Sequence, residues 1–187
     1  TSQICKFLND DQKQIILGSF LGDGSVDVVN KNRLRVKINH GMDQIEYNKW
    51  KASVFKQDIW INKIAGFSSK PTNSFVTPTF IMEKELPSNK ISCPQWVLDE
   101  IDARGLAIWF MDDGSTNKQG NYASLWTSSF DEDSHNRMAE CFKNRFGINA
   151  IVSESMCNKK NKIYRYLRFR KEDYINLCKI INPYMNE

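Results

Sequence analysis

Two apolar segments that each end in an aspartate, called the acidic segments below, contain the residues best suited to catalysis or metal binding. Residues 14–25 form an apolar run that ends at Asp-Gly-Ser with Asp23, and residues 105–115 form a second run that ends in the same way with Asp113. A carboxylate at the C-terminal end of a helix meets the partial negative charge of unpaired carbonyls, which costs roughly 0.3–1 kcal/mol. Two apolar helices that end in the same unfavourable acid predict a cation bound near both carboxylates.

A simple turn after a core helix is the alternative interpretation of an Asp-Gly pair. That interpretation accounts well for one occurrence and poorly for two matched occurrences about ninety positions apart, a spacing that indicates two related halves. Asp112 precedes Asp113, whereas Gly22 precedes Asp23, so the two segments are not identical. The repeat therefore favours a functional role for both acids.

The elements that position these acids are predicted from local signals. Asp10 or Asp11 is expected to cap the first helix and Asp102 the second. Gly24 and Gly114 are expected to end the two helices in the left-handed conformation. Further helices are predicted over residues 42–57, over residues 129–146 with a capping box at Ser129, and from Glu172 onward. Four tryptophans are expected in the core: Trp50, Trp60, Trp96 and Trp109.

The two acidic segments resemble the paired signature helices of the LAGLIDADG homing endonucleases. Residues 106–114, Leu-Ala-Ile-Trp-Phe-Met-Asp-Asp-Gly, are most similar to the subgroup whose second motif reads W-F-M-D-D-G. The resemblance covers nearly the whole chain. It implies an α+β fold of two pseudo-symmetric αββαββα halves, with antiparallel DNA-binding sheets and a central two-helix interface. The N-terminal half is expected over residues 1–90 and the C-terminal half over residues 91–187.

The resemblance also implies a metal site between the signature helices. Gly18 and Gly22 would allow the first helix to approach Ile108 and Asp112 of the second, in an asymmetric contact. Asp23 and Asp113 would bind Mg²⁺ over the scissile phosphates, with the backbone carbonyls of Gly22 and Asp112 as further ligands. Mg²⁺ suits such hard oxygen ligands, about two or three ions are expected, and Mn²⁺ or Ca²⁺ could replace it in binding.

Family members place a catalytic lysine in each half. Lys90 lies just before the second segment, where the resemblance expects the first of these lysines, and Lys84 is an alternative with a similar local pattern. The second lysine would follow the final helix, where this sequence has none. Lys162 or Lys171 is the expected substitute.

Two segments predict strands that could contact DNA. Residues 33–39 alternate perfectly, with apolar Leu34, Val36 and Ile38 on one face, and residues 162–170 alternate with Arg165 as the exception. The core side of the second strand is expected to hold Ile163, Leu167 and Phe169. The DNA-contacting residues predicted from these strands and their neighbours are Arg33, Arg35, Lys37, Asn39, Ser124, Trp126, Ser128, Lys159, Lys160, Lys162, Tyr164, Tyr166, Arg168 and Arg170.

Two alternatives apply to these DNA-contact predictions. Any exposed sheet face is polar, and Trp126 could equally be a core residue. Because these two strands carry basic residues and no acid, they favour a nucleic-acid surface.

The composition excludes several other classes of function. The formal net charge is +4, and two histidines and five cysteines without a C-x-x-C pair give no zinc motif or disulfide framework. The absence of any apolar run near the roughly 18 residues of a membrane span predicts no membrane role.

The function predicted from the resemblance is site-specific, metal-dependent cleavage of double-stranded DNA by a monomer, at a site of roughly twenty base pairs, about two helical turns. An intron RNA maturase on the same fold, with intron RNA as partner, is the first alternative. A DNA-binding regulator with an inactive site is the second.

Overall fold

A computed structural model describes residues 8–30, 33–62, 70–82, 84–157 and 162–185. The first segment of the chain forms α1 (Asp10–Leu21), β1 (Gly24–Asn30), β2 (Arg33–Gly41), a 3₁₀ turn (Met42–Gln44), α2 (Ile45–Val54), β3 (Trp60–Asn62), β4 (Thr72–Val76) and β5 (Phe80–Ile81). The second forms α3 (Gln95–Glu100), α4 (Ala103–Asp113), β6 (Gly114–Thr116), β7 (Tyr122–Leu125), α5 (Glu132–Phe146), β8 (Ala150–Cys157), β9 (Lys162–Arg170), α6 (Lys171–Ile181) and a 3₁₀ turn (Asn182–Tyr184).

Two antiparallel sheets follow the same topology. The first has the order β1-β2-β4-β3, with β5 also pairing with β2, and the second has the order β6-β7-β9-β8. Each sheet follows one of the two helices that end near Asp-Gly-Ser, which confirms the mixed fold of two related halves. The expected boundary between residues 90 and 91 falls in the segment between the two sheets and stays a prediction.

Helices α1 and α4 pack directly against each other because small residues let their backbones approach. A Cβ atom built on Gly18 would lie 2.5 Å from the carbonyl oxygen of Gly105 and 2.8 Å from Cβ of Ile108. One built on Gly22 would lie 2.5 Å from Cβ of Asp112. The expected asymmetric contact of two glycines with Ile108 and Asp112 is confirmed, and Gly105 is a third small residue in it.

Helix caps differ in part from the sequence prediction. Asn9, and neither Asp10 nor Asp11, caps α1, because its side chain accepts from the backbone of Gln12 while the Gln12 side chain accepts from the backbone of Asn9. Asp102 caps α4 as expected. Asp131, and not Ser129, caps α5, so the capping box predicted at Ser129 is wrong.

The expected left-handed glycines at the ends of α1 and α4 are also wrong. Gly24 and Gly114 begin β1 and β6, and in the described chain only Gly120, Gly147 and Lys56 have positive φ. Space explains both glycines, since a Cβ on Gly24 would lie 2.7 Å from the carbonyl oxygen of Ser19 and one on Gly114 2.3 Å from that of Phe110. The chain therefore turns from helix to strand without room for a side chain.

The predicted core is correct for the signature helices and less so at the sheet surfaces. Trp109 is buried and Trp50 and Trp96 are partly buried, but Trp60 is 43% exposed, so its core prediction is wrong. Ile163 is 51% exposed and lies one residue from the start of β9, whereas Leu167 and Phe169 further along β9 are buried. Across the described residues, none of the helices is both long and apolar enough to cross a membrane.

Candidate active site and nucleic-acid surface

Asp23 and Asp113 lie where α1 and α4 end. Asp23 lies two residues beyond the end of α1 and its side chain is 37% exposed, while Asp113 is the last residue of α4 and is partly buried. Burial, together with the negative charges of Asp23 and Asp112, raises the pKa of Asp113 to about 7, and Lys90 and Lys51 oppose this shift. Three acids thus crowd one end of the helix pair, where a divalent cation would relieve their repulsion.

Lys90 contacts this acidic cluster, whereas its alternative does not. The Lys90 ammonium donates to the carbonyl oxygen of Gly22, between the two signature helices. Burial lowers the pKa of Lys90, and the charges of Asp113, Asp23 and Asp112 oppose that shift. Lys84 instead forms an exposed ion pair with Glu100. The structure therefore places Lys90 in the candidate site and excludes Lys84 from it.

Lys51 of α2 is a second lysine beside the acids, and the sequence prediction missed it. Its ammonium nitrogen lies 2.6 Å from Oδ1 of Asp112, with both side chains fully buried. Burial lowers the pKa of Lys51, and the Asp112 carboxylate opposes the shift. The expected substitutes are both exposed: Lys162 begins β9 and Lys171 begins α6. Within the described chain, Lys51 is therefore the second lysine, after Lys90, that is shielded from solvent next to these acids.

Two more residues missed by the sequence prediction complete the cluster. His40, the last buried position of β2, has its Nε2 3.1 Å from the Lys51 nitrogen and its Nδ1 3.1 Å from Oδ2 of Asp23. The Tyr47 hydroxyl donates to Oδ1 of Asp112 at 2.9 Å, and burial together with that carboxylate raises the pKa of Tyr47 well above its ordinary value.

The signal for His40 was present in the sequence, since position 40 continues the buried positions 34, 36 and 38. Lys51 carried no such signal, because a lysine within a helix is ordinarily exposed.

The donor set fits a hard divalent cation. Single ligand atoms of Asp23, His40 and Asp112 all lie within 4.8 Å of one another. The Asp112 carboxylate, however, already accepts from Lys51, from Tyr47 and from the backbone N–H of Asp23 at 3.3 Å. The Asp112 carboxylate is thus compensated by its neighbours, and Asp23 and Asp113 stay the predicted metal ligands.

The first sheet presents the basic face predicted for β2. Arg33, Arg35, Lys37 and Asn39 are exposed, and the residues that alternate with them are buried. Arg35 is paired with Asp27 of the neighbouring strand at 2.6 Å, and Asn39 accepts from Ser74 at 2.6 Å. Trp60 and Asn62 of β3, which the sequence prediction did not assign to this face, lie alongside and hydrogen-bond to each other.

The second sheet presents a mixed aromatic and basic face. Arg168 lies over the ring of Tyr122 at 4.9 Å, and the exposed Trp126 packs on Tyr166 with ring centroids 4.7 Å apart. Trp126 is therefore a surface residue. Lys162 and Arg170 are exposed and Tyr164 is partly buried.

Four predicted contacts of this face are buried, partly buried or outside the described residues. Ser124 pairs with Arg168 and is only 6% exposed, and the expected DNA contact at Ser124 stays a prediction. Ser128 is partly buried. Lys159 and Lys160 lie outside the described residues.

Arg165, the exception in the alternation of β9, points to the opposite side of the sheet. It pairs there with Glu154 at 2.9 Å and with Glu132 of α5 at 3.2 Å. The basic residue that breaks the pattern is thus neutralised on the helix side.

The model of the LAGLIDADG DNA endonuclease family matches residues 13–177, which include both signature helices and both sheets. This chain belongs to the LAGLIDADG DNA endonuclease family. The matched residues include Asp23 and Asp113.

Relatives of this LAGLIDADG chain include proteins with different names and lengths. It is 32% identical over 117 residues to a RecA protein of Mycobacterium shimoidei, which covers 58% of this chain but 27% of the relative. It is 32% identical over 89 residues to a probable intron-encoded DNA endonuclease 3 of Mycosarcoma maydis, covering 48% of this chain and 61% of the relative. The chain therefore spans only about a quarter of the RecA relative's length.

Solved LAGLIDADG structures share the fold across nearly the whole chain. The homing endonuclease I-WcaI bound to its DNA recognition sequence superposes with a TM-score of 0.73 at 20% identity, covering 96% of this chain and 84% of that one. Full-length DUF199/WhiA from Thermatoga maritima superposes with a TM-score of 0.55 at 14% identity, covering 94% of this chain and 56% of that one. At these identities the likeness concerns the fold alone.

Proposed function

We propose that this LAGLIDADG protein is a divalent-metal-dependent endonuclease that cuts both strands of a specific DNA duplex. The observation that carries the proposal is the position of Asp113 beside Asp23 and Asp112 at the ends of α1 and α4, where burial and the repulsion between these acids raise the pKa of Asp113 to about 7. A protein that only bound nucleic acid would gain nothing from this repulsion. A metal-dependent nuclease uses such acids as ligands, and Asp23 and Asp113 are the two proposed for this role.

The catalytic roles follow from the position of each side chain. Asp23 and Asp113 would hold Mg²⁺, with the carbonyl oxygens of Gly22 and Asp112 as the further proposed ligands. When bound, Mg²⁺ supplies an activated water and neutralises the charge that develops on the leaving oxygen. Lys90, whose pKa burial lowers, is suited to exchange a proton with that water or to stabilise the charge on the attacked phosphate.

Double-stranded DNA is the proposed substrate, held across the exposed faces of the two sheets. I-WcaI, which shares this fold, has been solved with its DNA recognition sequence. Arg33, Lys37 and Arg168 are the exposed basic residues suited to phosphates or guanine edges. Because both motifs lie in one chain and pack against each other, a monomer provides both acids. A duplex of about two helical turns matches two half-sites.

The experiment is cleavage of DNA joined across the point where the coding gene is inserted, compared with DNA that carries the insertion. Wild-type protein with Mg²⁺ is expected to cut the uninterrupted DNA on both strands, and EDTA should abolish cutting. Asp23→Asn and Asp113→Asn should bind the duplex but not cut it. Asp133→Asn, which changes an exposed acid of α5, is the matched control and should cut normally.

Two results would contradict the proposal. Normal cutting of both strands by Asp23→Asn or Asp113→Asn would show that the metal site is wrongly assigned. Tight binding of the intron transcript without any cutting of DNA would instead support the maturase alternative.

A further inference from the structure

Lys51 is surrounded by as many acceptors as it has hydrogens to donate. An ammonium group carries three N–H donors and no acceptor. The Lys51 nitrogen lies 2.6 Å from Oδ1 of Asp112, 3.1 Å from Nε2 of His40 and 3.3 Å from Oγ of Ser19. All four side chains are buried, so these contacts are shielded from water. The ammonium group thus occupies the space between Asp112 and His40.

This arrangement determines the proton position on His40. A histidine nitrogen that accepts from an ammonium group must be unprotonated, so the proton of a neutral ring is on the other nitrogen. Nε2 faces Lys51, and a charged Lys51 assigns the proton of a neutral ring to Nδ1. Nδ1 lies 3.1 Å from Oδ2 of Asp23 but is not aligned well enough to hydrogen-bond, which leaves it buried without a partner. A buried donor without a partner costs free energy, so it marks a place where a small rotation of Asp23 completes a hydrogen bond.

We propose that Lys51 and His40 form a buried relay that orients the Asp23 carboxylate, with Asp112 as the internal counter-ion of Lys51 and not a side-chain ligand of the metal. Lys51 fixes the tautomer of His40, and His40 then holds one oxygen of Asp23 so that the other faces the cation. Outer groups that orient a ligand in this way ordinarily contribute strongly to metal affinity. His40 and Lys51 are positioning residues in this arrangement.

The relay belongs to one half of the molecule. His40 and Lys51 come from β2 and α2, both in the N-terminal segment, and they act on Asp23. The corresponding acid, Asp113, has Lys90 as its largest opposing charge instead. The two acids are therefore held by different means. The role in orienting a metal ligand rests on the proposed function, whereas the tautomer of His40 does not.

The first experiment reads the tautomer of metal-free protein in a long-range ¹H–¹⁵N correlation spectrum. The chain has two histidines, and His135 is an internal reference, because its Nδ1 must donate to the carbonyl oxygen of Asp131 at 2.7 Å. Both rings are expected to be protonated on Nδ1. A spectrum with His40 protonated on Nε2 would overturn the relay, since Nδ1 would then be free to bind a metal directly.

A pair of variants separates the relay from general effects on folding. The double variant Lys51→Met/Asp112→Asn removes both charges together, so no charge remains unpaired in the core, and it should shift the His40 signals but not those of His135. Lys49→Met, which removes an exposed lysine of the same helix paired with Glu46, should shift neither. Unchanged His40 signals in the double variant would overturn the relay.

The second experiment measures Mg²⁺ binding by calorimetry. His40→Leu is expected to weaken binding about 10–100-fold, and His40→Asn, whose amide places a donor near the position of Nδ1, should recover part of that loss. Equal affinities for wild type and both variants would overturn the role in orienting Asp23. If wild-type protein binds no Mg²⁺, the proposed function is wrong. The contact between Lys51 and His40 is then tested only by the tautomer of His40 in the correlation spectrum.

Discussion

The ammonium nitrogen of Lys51 lies 2.6 Å from Oδ1 of Asp112, and this ion pair between α2 and α4 is fully buried. Such a pair is a weak source of net stability, because both charges lose their hydration on folding. Removing one partner is far more costly, because the other charge then remains buried without compensation. The pair therefore links α2 to α4, and the stability of variants at Lys51 depends on it.

Lys51→Met is expected to lower the free energy of unfolding by about 3–5 kcal/mol, because it leaves the Asp112 carboxylate buried and unpaired. The double variant Lys51→Met/Asp112→Asn should recover a large part of this loss. Urea denaturation measures both. Lys49→Met, on the exposed side of the same helix, should change stability by no more than about 0.5 kcal/mol. A loss for Lys51→Met as small as that of the control would mean that the pair is not buried in solution.

Gly18→Ala is expected to destabilise the protein by about 1–3 kcal/mol, because the added methyl group meets the backbone carbonyl of Gly105. Alanine would gain about 1 kcal/mol from helix propensity, and the clash outweighs that gain. Thermal unfolding measures the result. Gly41→Ala is the matched control, since its new Cβ meets only the tip of the Asp43 side chain at 3.1 Å. A Gly18→Ala variant more stable than wild type would contradict the close packing of α1 and α4.

The stability of the metal-free protein is expected to fall as pH rises from about 4 to about 7. The pKa of Asp113 is raised from 3.8 to about 7 in the folded state, so the folded protein binds this proton more tightly than the unfolded chain does. Stability from this group is complete below the unfolded pKa and is lost as pH passes the folded value. Calorimetry in EDTA across this range measures the trend.

Mg²⁺ should correspondingly raise the melting temperature more at about pH 8 than at about pH 5, because at low pH a proton competes for Asp113. Asp113→Asn is expected to reduce both the pH trend and the Mg²⁺ effect, while Asp133→Asn should preserve them. A Mg²⁺ effect that is independent of pH in wild-type protein would contradict the role of Asp113 as a ligand.

Lys90→Met is expected to slow DNA cleavage by about 100-fold or more while leaving DNA affinity within a factor of a few, because Lys90 lies among the acids and not on the sheet faces. Single-turnover cleavage and binding assays measure the two quantities separately. Lys84→Met removes a nearby exposed lysine that pairs with Glu100, and it should cut at the normal rate. Equal rates for the two variants would exclude Lys90 from the chemistry.

Arg33→Ala, Lys37→Ala and Arg168→Ala are each expected to weaken DNA binding and to reduce the dependence of log affinity on log salt concentration by about 1, since each removes one basic contact. Affinities measured over a range of salt concentrations give this slope. Arg165→Ala is the control, because Arg165 is paired with two acids on the helix side of β9. If Arg165→Ala changed the slope as much as the others, the assignment of the DNA face would be wrong.

The sequence by itself determined the features that repeat or alternate. The doubled Asp-Gly-Ser ending indicated two related halves and identified Asp23 and Asp113, and the alternation of β2 identified its exposed basic face. These predictions succeed because each depends on residues that are close together in the chain, where helix and strand periods relate position directly to burial. The asymmetric pairing of Gly18 and Gly22 with Ile108 and Asp112 was implied by the family resemblance and is confirmed by the packing of α1 against α4.

Only the tertiary structure decided which charged groups meet. Lys51 and Asp112 are 61 positions apart, and Lys90 meets the carbonyl of Gly22 from 68 positions away. Nothing in the local pattern distinguishes Lys51 from the exposed Lys49, or Lys90 from Lys84, because the burial of a charge depends on the groups that surround it in space. The role of Asp112 changed for the same reason. In the sequence it is a second acid of the motif, and in the folded protein its carboxylate is the buried partner of Lys51.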